Sequence, residues 1–232
     1  MLAKIGVEVA AMRILVLALC VAFLAFGEEP MALGGGGFMA GHLFLDLSEL
    51  NTYLVQNGFA GLPSPLVLSG GGGMGGLLEG SRMGGAGFGG ETQSVLNEKR
   101  ASLSLGAGGF LTEQALFSRK TLAFALGFMI GGGDAELLLV FREPSSFEDA
   151  LTSPVCTRLR RRFFLLVPYL SAEVFLLDWA FLKVNVGFFF TLGGPWEADG
   201  VSVSGPPASF HAPLLQLFFH LGGVLPLEEE GG

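Results

Sequence analysis

The chain has 232 residues, half of them hydrophobic and 15% charged, with 37 glycines and a formal net charge of -8. This much apolar content excludes a disordered linker, which could not bury enough surface to collapse. The acidic balance disfavours the phosphate backbone of a nucleic acid as partner.

At the N-terminus, Lys4 and Arg13 precede an uncharged run over residues 14–26, and Ala25-Phe26-Gly27 places small residues around a cut site ahead of Glu28. A basic start, a short apolar stretch and a small-residue site predict a secretory signal peptide over residues 1–27. The run falls short of the ~20 apolar residues that a spanning helix needs, so an uncleaved anchor is the second reading. Met12 is an alternative start, and Cys20 follows Leu19, which is too large for a lipoprotein signal. Residues 28–232 then form a single glycine-rich antiparallel β domain. Losing Lys4, Arg13 and Glu8 takes its charge to -9, and Cys156 is its one cysteine. No internal disulfide can form, so the fold must stand on burial and hydrogen bonds.

In chain order, residues 36–47 predict a first strand. Ser48 is placed to cap a short helix over residues 49–56, which Asn57-Gly58 ends. Pro63 and Pro65 mark a loop, and glycine-rich segments 66–78 and 81–92 follow, joined as a hairpin across Glu79-Gly80. In residues 100–110, Leu103, Leu105 and Ala107 alternate with Ser102, Ser104 and Gly106. In residues 121–131, Leu122, Phe124, Leu126, Phe128 and Ile130 take one parity, and Ala123, Ala125, Gly127 and Met129 the other. Gly131-Gly132-Gly133 reads as a break, with Asp134 and Glu136 in or beside a turn. Residues 143–162 read as an insertion, with Ser146 capping a helix at 147–151. Segment 163–175 pairs with 181–192 across residues 177–180. There Leu182, Val184, Val186, Phe188 and Phe190 oppose Lys183, Asn185, Gly187 and Thr191. A loop at 193–212, a last strand at 213–222 and a solvated acidic tail from Glu228 to Glu230 complete the chain.

Successive strand side chains point to opposite faces, so a period of two is a direct β signal. Three segments carry it independently, which makes the domain all-β with about eight to ten strands. A polytopic helical protein is disfavoured by the charges and glycine breaks inside its candidate spans.

The stretch Pro168-Tyr-Leu-Ser-Ala-Glu-Val-Phe, followed by Leu177-Asp-Trp-Ala-Phe-Leu-Lys-Val-Asn-Val-Gly-Phe, resembles the paired strands of small bacterial outer-membrane β-barrel proteins. The resemblance covers about a quarter of the chain. It implies an antiparallel barrel of about 8–10 strands, with the short helix near 49–56, large apolar side chains facing lipid and small ones facing the lumen. It also implies export to the bacterial outer membrane or cell envelope, membrane lipid as a partner, and a structural or passive transport role. Two features depart from the family: two Tyr and two Trp stand against 22 Phe, and the chain ends on an acidic tail. The alternative is a secreted soluble β-sandwich with a structural or binding role. What separates the two is whether the large-residue faces form an outer belt or a buried inner layer.

Catalytic signals are weak, and the sequence predicts no enzyme, no cofactor and no metal. Gly70-x-Gly72-x-x-Gly75 matches a dinucleotide fingerprint as a string, but residues 77–81 offer no helix to meet a pyrophosphate. His42, His211 and His220 lack ligand-spaced neighbours. The one charge run that suggests a site is Arg158-x-Arg160-Arg161-Arg162, directly before an apolar strand. Arg158, Arg160, Arg161 and Arg162 are predicted to gather at a barrel rim, where guanidinium groups could contact lipid head-group phosphates. The competing reading is a solvated loop that protects the strand from aggregation.

Overall fold

The structure is a computed structural model that describes residues 31–119, 121–142, 145–152, 156–203 and 210–226. The predicted signal peptide and acidic tail lie outside the described residues. The strands are β1 (Met31–Leu43), β2 (Leu66–Leu77), β3 (Ser81–Leu96), β4 (Lys99–Arg119), β5 (Leu122–Val140), β6 (Cys156–Leu177), β7 (Ala180–Gly193), β8 (Trp196–Ala198), β9 (Val201–Val203) and β10 (Ala212–Pro226). Among the described residues two helices interrupt them, α1 (Ser48–Gln56) and α2 (Phe147–Thr152).

Every pairing is antiparallel. β1 to β7 neighbour one another in order, β7 pairs with β10, and β10 returns to β1, so eight strands close a barrel. The small hairpin β8–β9 hangs from β6, turning at Asp199 and Gly200, whose φ angles of 49° and 81° suit a tight hairpin. The register fixes the barrel's geometry. From Leu214 the paired row runs through Gly187, Tyr169, Gly127, Glu113, Arg82, Gly76 and Leu33 to Val224, ten residues further along the same strand. Eight strands with that stagger tilt by roughly 40° and enclose an interior that side chains can just fill.

The two ends differ. The tight turns β2–β3, β4–β5 and β6–β7 lie at one end, together with the outer ends of β1 and β10. At the other end are the long connections carrying α1, α2 and β8–β9, plus the short β3–β4 turn, where Asn97 takes a φ of 56°. α1 and the residues after it fold over that end. Leu50, Leu54, Phe59 and Leu62 join Leu43, Leu66, Leu68, Leu103 and Leu137 in one buried cluster. Asn51 holds the cover shut by accepting from the Leu62 amide at 2.7 Å and donating to its carbonyl at 3.0 Å.

Several sequence expectations shift. β1 runs from Met31 to Leu43, so the strand predicted over residues 36–47 begins earlier, taking in Gly34 and Gly35, and ends earlier. Gly131, Gly132 and Gly133 also continue their strand. They lie opposite Gly109, Gly108 and Ala107, where the ladder needs no side chain. Asp134 and Glu136 are therefore mid-strand, not in a turn. Ser48 does not cap α1, whose N-cap is Leu47. Instead the Asp46 carboxylate accepts from the Ser48 hydroxyl at 2.6 Å and its amide at 3.0 Å, which holds that carboxyl below the usual range. Ser146 does cap its helix, accepting from the Asp149 amide at 3.1 Å.

Candidate functional site

The parity of each strand decides what faces outward. On β5, Ala123, Ala125 and Met129 are buried in the lumen, while Phe124 and Ile130 are exposed outside. β6 presents Phe164, Leu166, Leu170 and Val174; β7 presents Val184, Val186 and Phe190; β10 presents Leu215, Leu217, Phe219 and Leu221. The wall formed by β1, β2 and β3 is barer, with Phe38 and Met83 standing among outward glycines such as Gly71, Gly73, Gly85 and Gly87. The large-residue faces of β5, β7 and β10 are thus an outer layer, whereas on β4 Leu103 and Leu105 face inward. From Phe164 to Val174 the strand advances ten residues, roughly 34 Å along its own axis, or about 25 Å of height at a ~40° tilt. Outer-membrane barrels carry an apolar band of that height. Among the described residues, the first outward charges toward the long-connection end are Glu91, Asp134 and Arg162.

Behind the belt, near the tight-turn end, the lumen holds a buried square of charge. Arg82 and Glu113 are register neighbours on β3 and β4, and Glu173 and Lys183 are register neighbours on β6 and β7. Each pair also reaches across the lumen. Arg82 Nη1 donates to Glu173 Oε2 at 2.6 Å, and Lys183 Nζ donates to Glu113 Oε1. The Tyr169 hydroxyl completes the group, donating to Glu113 Oε1 at 2.8 Å, and Arg82 also donates to the carbonyls of Leu77 and Leu78. Gly127 makes this possible. It sits between Tyr169 and Glu113 in the row, and a Cβ there would lie 2.7 Å from both side chains. His220 stacks on Phe181 at 4.7 Å beside the cluster.

Two positive and two negative groups cancel, which is what a low-dielectric interior requires, because an unpaired buried charge is costly. The Glu113 Oε2, Glu173 Oε1 and Asn185 Oδ1 atoms are buried without a hydrogen-bond donor. Two small cavities adjoin Asn185, one also lined by Lys183 and His220 and one by Tyr169 and Gln216, each with room for about one water molecule. Below, Leu33, Leu78 and Phe181 close the tight-turn end. Among the described residues the lumen is occupied by buried side chains, with apolar layers above and below a polar one.

The sequence predicted four arginines together at a rim, and the structure divides them. Arg158, Arg160 and Arg162 alternate along β6 and face outward, exposed. Arg161 has the opposite parity. It is buried, donates from Nε to the Gly194 carbonyl at 2.8 Å and lies 5.6 Å from the Phe210 ring centre. All four belong to a strand rather than a loop, because β6 begins at Cys156. On the outer face Arg158 pairs with Glu136 at 3.1 Å and Arg160 with Asp134 at 3.0 Å.

The other residues picked out from sequence play structural parts. His211 Nδ1 accepts from the Thr191 amide at 3.3 Å. His42 lies on β1, and Cys156 is an exposed thiol. Gly70, Gly72 and Gly75 lie within β2, which turns into β3 rather than into a helix. Asp149 accepts from both Arg142 Nη1 and Nη2 at 2.7 Å, which holds its carboxyl well below the usual range. Among the described residues no group of three or more His, Cys, Asp or Glu could hold a metal. None of their helices is long and apolar enough to cross a membrane.

The buried square was not singled out from sequence. Lys183 carried a signal, as a charge on the small-residue parity of an apolar strand. Arg82, Glu113 and Glu173 are buried too, but Glu113 shares its parity with Leu103 and Leu105, and Glu173 with Phe163 and Leu165, so that signal did not mark them.

No family model and no curated protein matches the chain. Among solved structures, it is similar to the outer membrane protease OmpT from Escherichia coli. The likeness covers 86% of this chain and 97% of that one, at 8% identity and a TM-score of 0.33.

Proposed function

We propose that the protein is a membrane-embedded barrel of the bacterial outer membrane with a structural role, exported by its predicted signal peptide. The observation that carries this reading is the outer belt, about 25 Å high, uncharged and set with exposed Phe, Leu, Ile and Val. In water such a face would be an aggregation hazard, whereas in lipid it is solvated and the closed ring leaves no open edge. Between a structural and a passive transport role, the filled lumen favours the first. The buried square and the leucine layer under α1 occupy the lumen at two levels.

The test is cell fractionation followed by an alkaline carbonate wash, with gels run before and after boiling. The expected protein stays in the outer-membrane pellet and migrates faster unboiled. Release into the wash would overturn the membrane reading. Conductance across a planar bilayer well above background would overturn the structural role alone.

A further inference from the structure

We propose that Arg162, with Arg160 beside it, binds the phosphate of a lipid head group in the leaflet on the long-connection side; this rests on the membrane reading above. Arg162 is the first outward charge on β6, two residues beyond Phe164 and the apolar run that follows it. A guanidinium at that boundary is held where hydrocarbon gives way to head groups. There it must find an anion or reach back to water.

The local carboxylates do not satisfy it. Asp134, its register neighbour on β5, is engaged by Arg160 through Nε at 3.1 Å and Nη2 at 3.0 Å, and Glu136 is engaged by Arg158 at 3.1 Å. Glu197 on β8 lies in register with Arg160, one step further from the belt. Arg162 has no ion-pair or hydrogen-bond partner among the described residues. Just beyond the end of β7, a Cβ on Gly194 would meet nothing within 4 Å, so no side chain crowds that position. Arg161, of opposite parity, fixes the Gly194 carbonyl from inside at 2.8 Å, so the wall beside Arg162 is anchored. A planar guanidinium donor fork matches phosphate oxygens better than a point charge does. The carboxylates on Arg158 and Arg160 orient that column and leave the free donor at the lipid edge.

The experiment places the full chain in nanodiscs of phosphatidylcholine doped with phosphatidic acid and counts retained lipids by native mass spectrometry. Wild type should keep phosphatidic acid in preference to phosphatidylcholine. Arg162→Gln should lower that enrichment about fivefold, and Arg158→Gln should barely change it. Equal retention by Arg162→Gln and wild type would overturn the proposal, as would an equal loss in Arg158→Gln. Displacement of phosphatidic acid by equimolar inorganic phosphate would also overturn it, because the site would then serve a soluble anion. A chain that enters the discs, keeps its heat-shifted mobility and shows no preference overturns this inference alone. A chain that never enters them overturns the membrane reading as well.

Discussion

The two halves of the barrel are built on opposite rules. Toward the long connections, β4 puts Leu103 and Leu105 inside and Ser102 and Ser104 outside, with the Glu91 carboxylate accepting from Ser102. That half is organised like a water-soluble protein, with an apolar core under α1 and polar positions outside. Toward the tight turns the arrangement inverts: Phe, Leu and Val face outward, while Arg82, Glu113, Glu173 and Lys183 face in. The same period of two serves both. On β4 the parity that carries Ser104 toward the long connections carries the exposed Phe110 toward the tight turns, the change that the proposed passage from water into lipid requires.

The comparison breaks most sharply at the buried square. Arg82→Ala leaves Glu173 buried without its cross-lumen partner and should cost about 3–5 kcal/mol, measured by unfolding in detergent micelles. A loss under about 1 kcal/mol would mean that the lumen is wet and the square is screened. Next in size is a charge placed on the outer face. Val186→Arg, in the belt, should cost about 2–4 kcal/mol in a bilayer, and Val95→Arg, on the long-connection side, close to none. Equal costs would remove the distinction between the halves.

Glycines sharpen the contrast between inside and outside. At Gly109 an added Cβ would collide with the Ile130 carbonyl oxygen, whereas at Gly106, three residues away on the same strand, it would meet nothing within 4 Å. Gly109→Ala should therefore destabilise by about 1–3 kcal/mol, and Gly106→Ala should be neutral or stabilise by up to about 1 kcal/mol. Thermal melts of the two variants side by side decide it. The smallest effect lies at α2. Its Asp149 has a depressed pKa, so the contribution of the Arg142 pair is present above the ordinary carboxylate range near 4 and is lost only as pH falls below it. Protection of α2 against proteolysis should be constant from pH 8 to about 5 and decline in stronger acid. A decline already at about pH 6 would assign the effect to another group.

Strand existence was legible wherever large and small residues alternate cleanly, as at Phe124 to Ile130 and Leu182 to Phe190. The ends were not. Glycine reads locally as a breaker, yet Gly131 and Gly132 sit opposite Gly109 and Gly108, so the break disappears once the neighbouring strand is known. Asp134 and Glu136 misled for a related reason: charge read as the end of an apolar strand, yet β5 continues to Val140. The square was hidden more deeply. Arg82 and Glu173 are 91 residues apart, and their approach depends on the stagger of the closed ring, which no local pattern encodes.

The seam of the ring has a kinetic consequence. β1, the first strand, pairs along its whole length with β10, the last, from Met31 opposite Pro226 to Leu43 opposite Leu214. Until β10 arrives, β1 and β7 both present open edges bordered by apolar side chains, the condition under which chains join the wrong partner. Closure cannot precede β10. The slowest folding step should be the docking of that strand between β1 and β7.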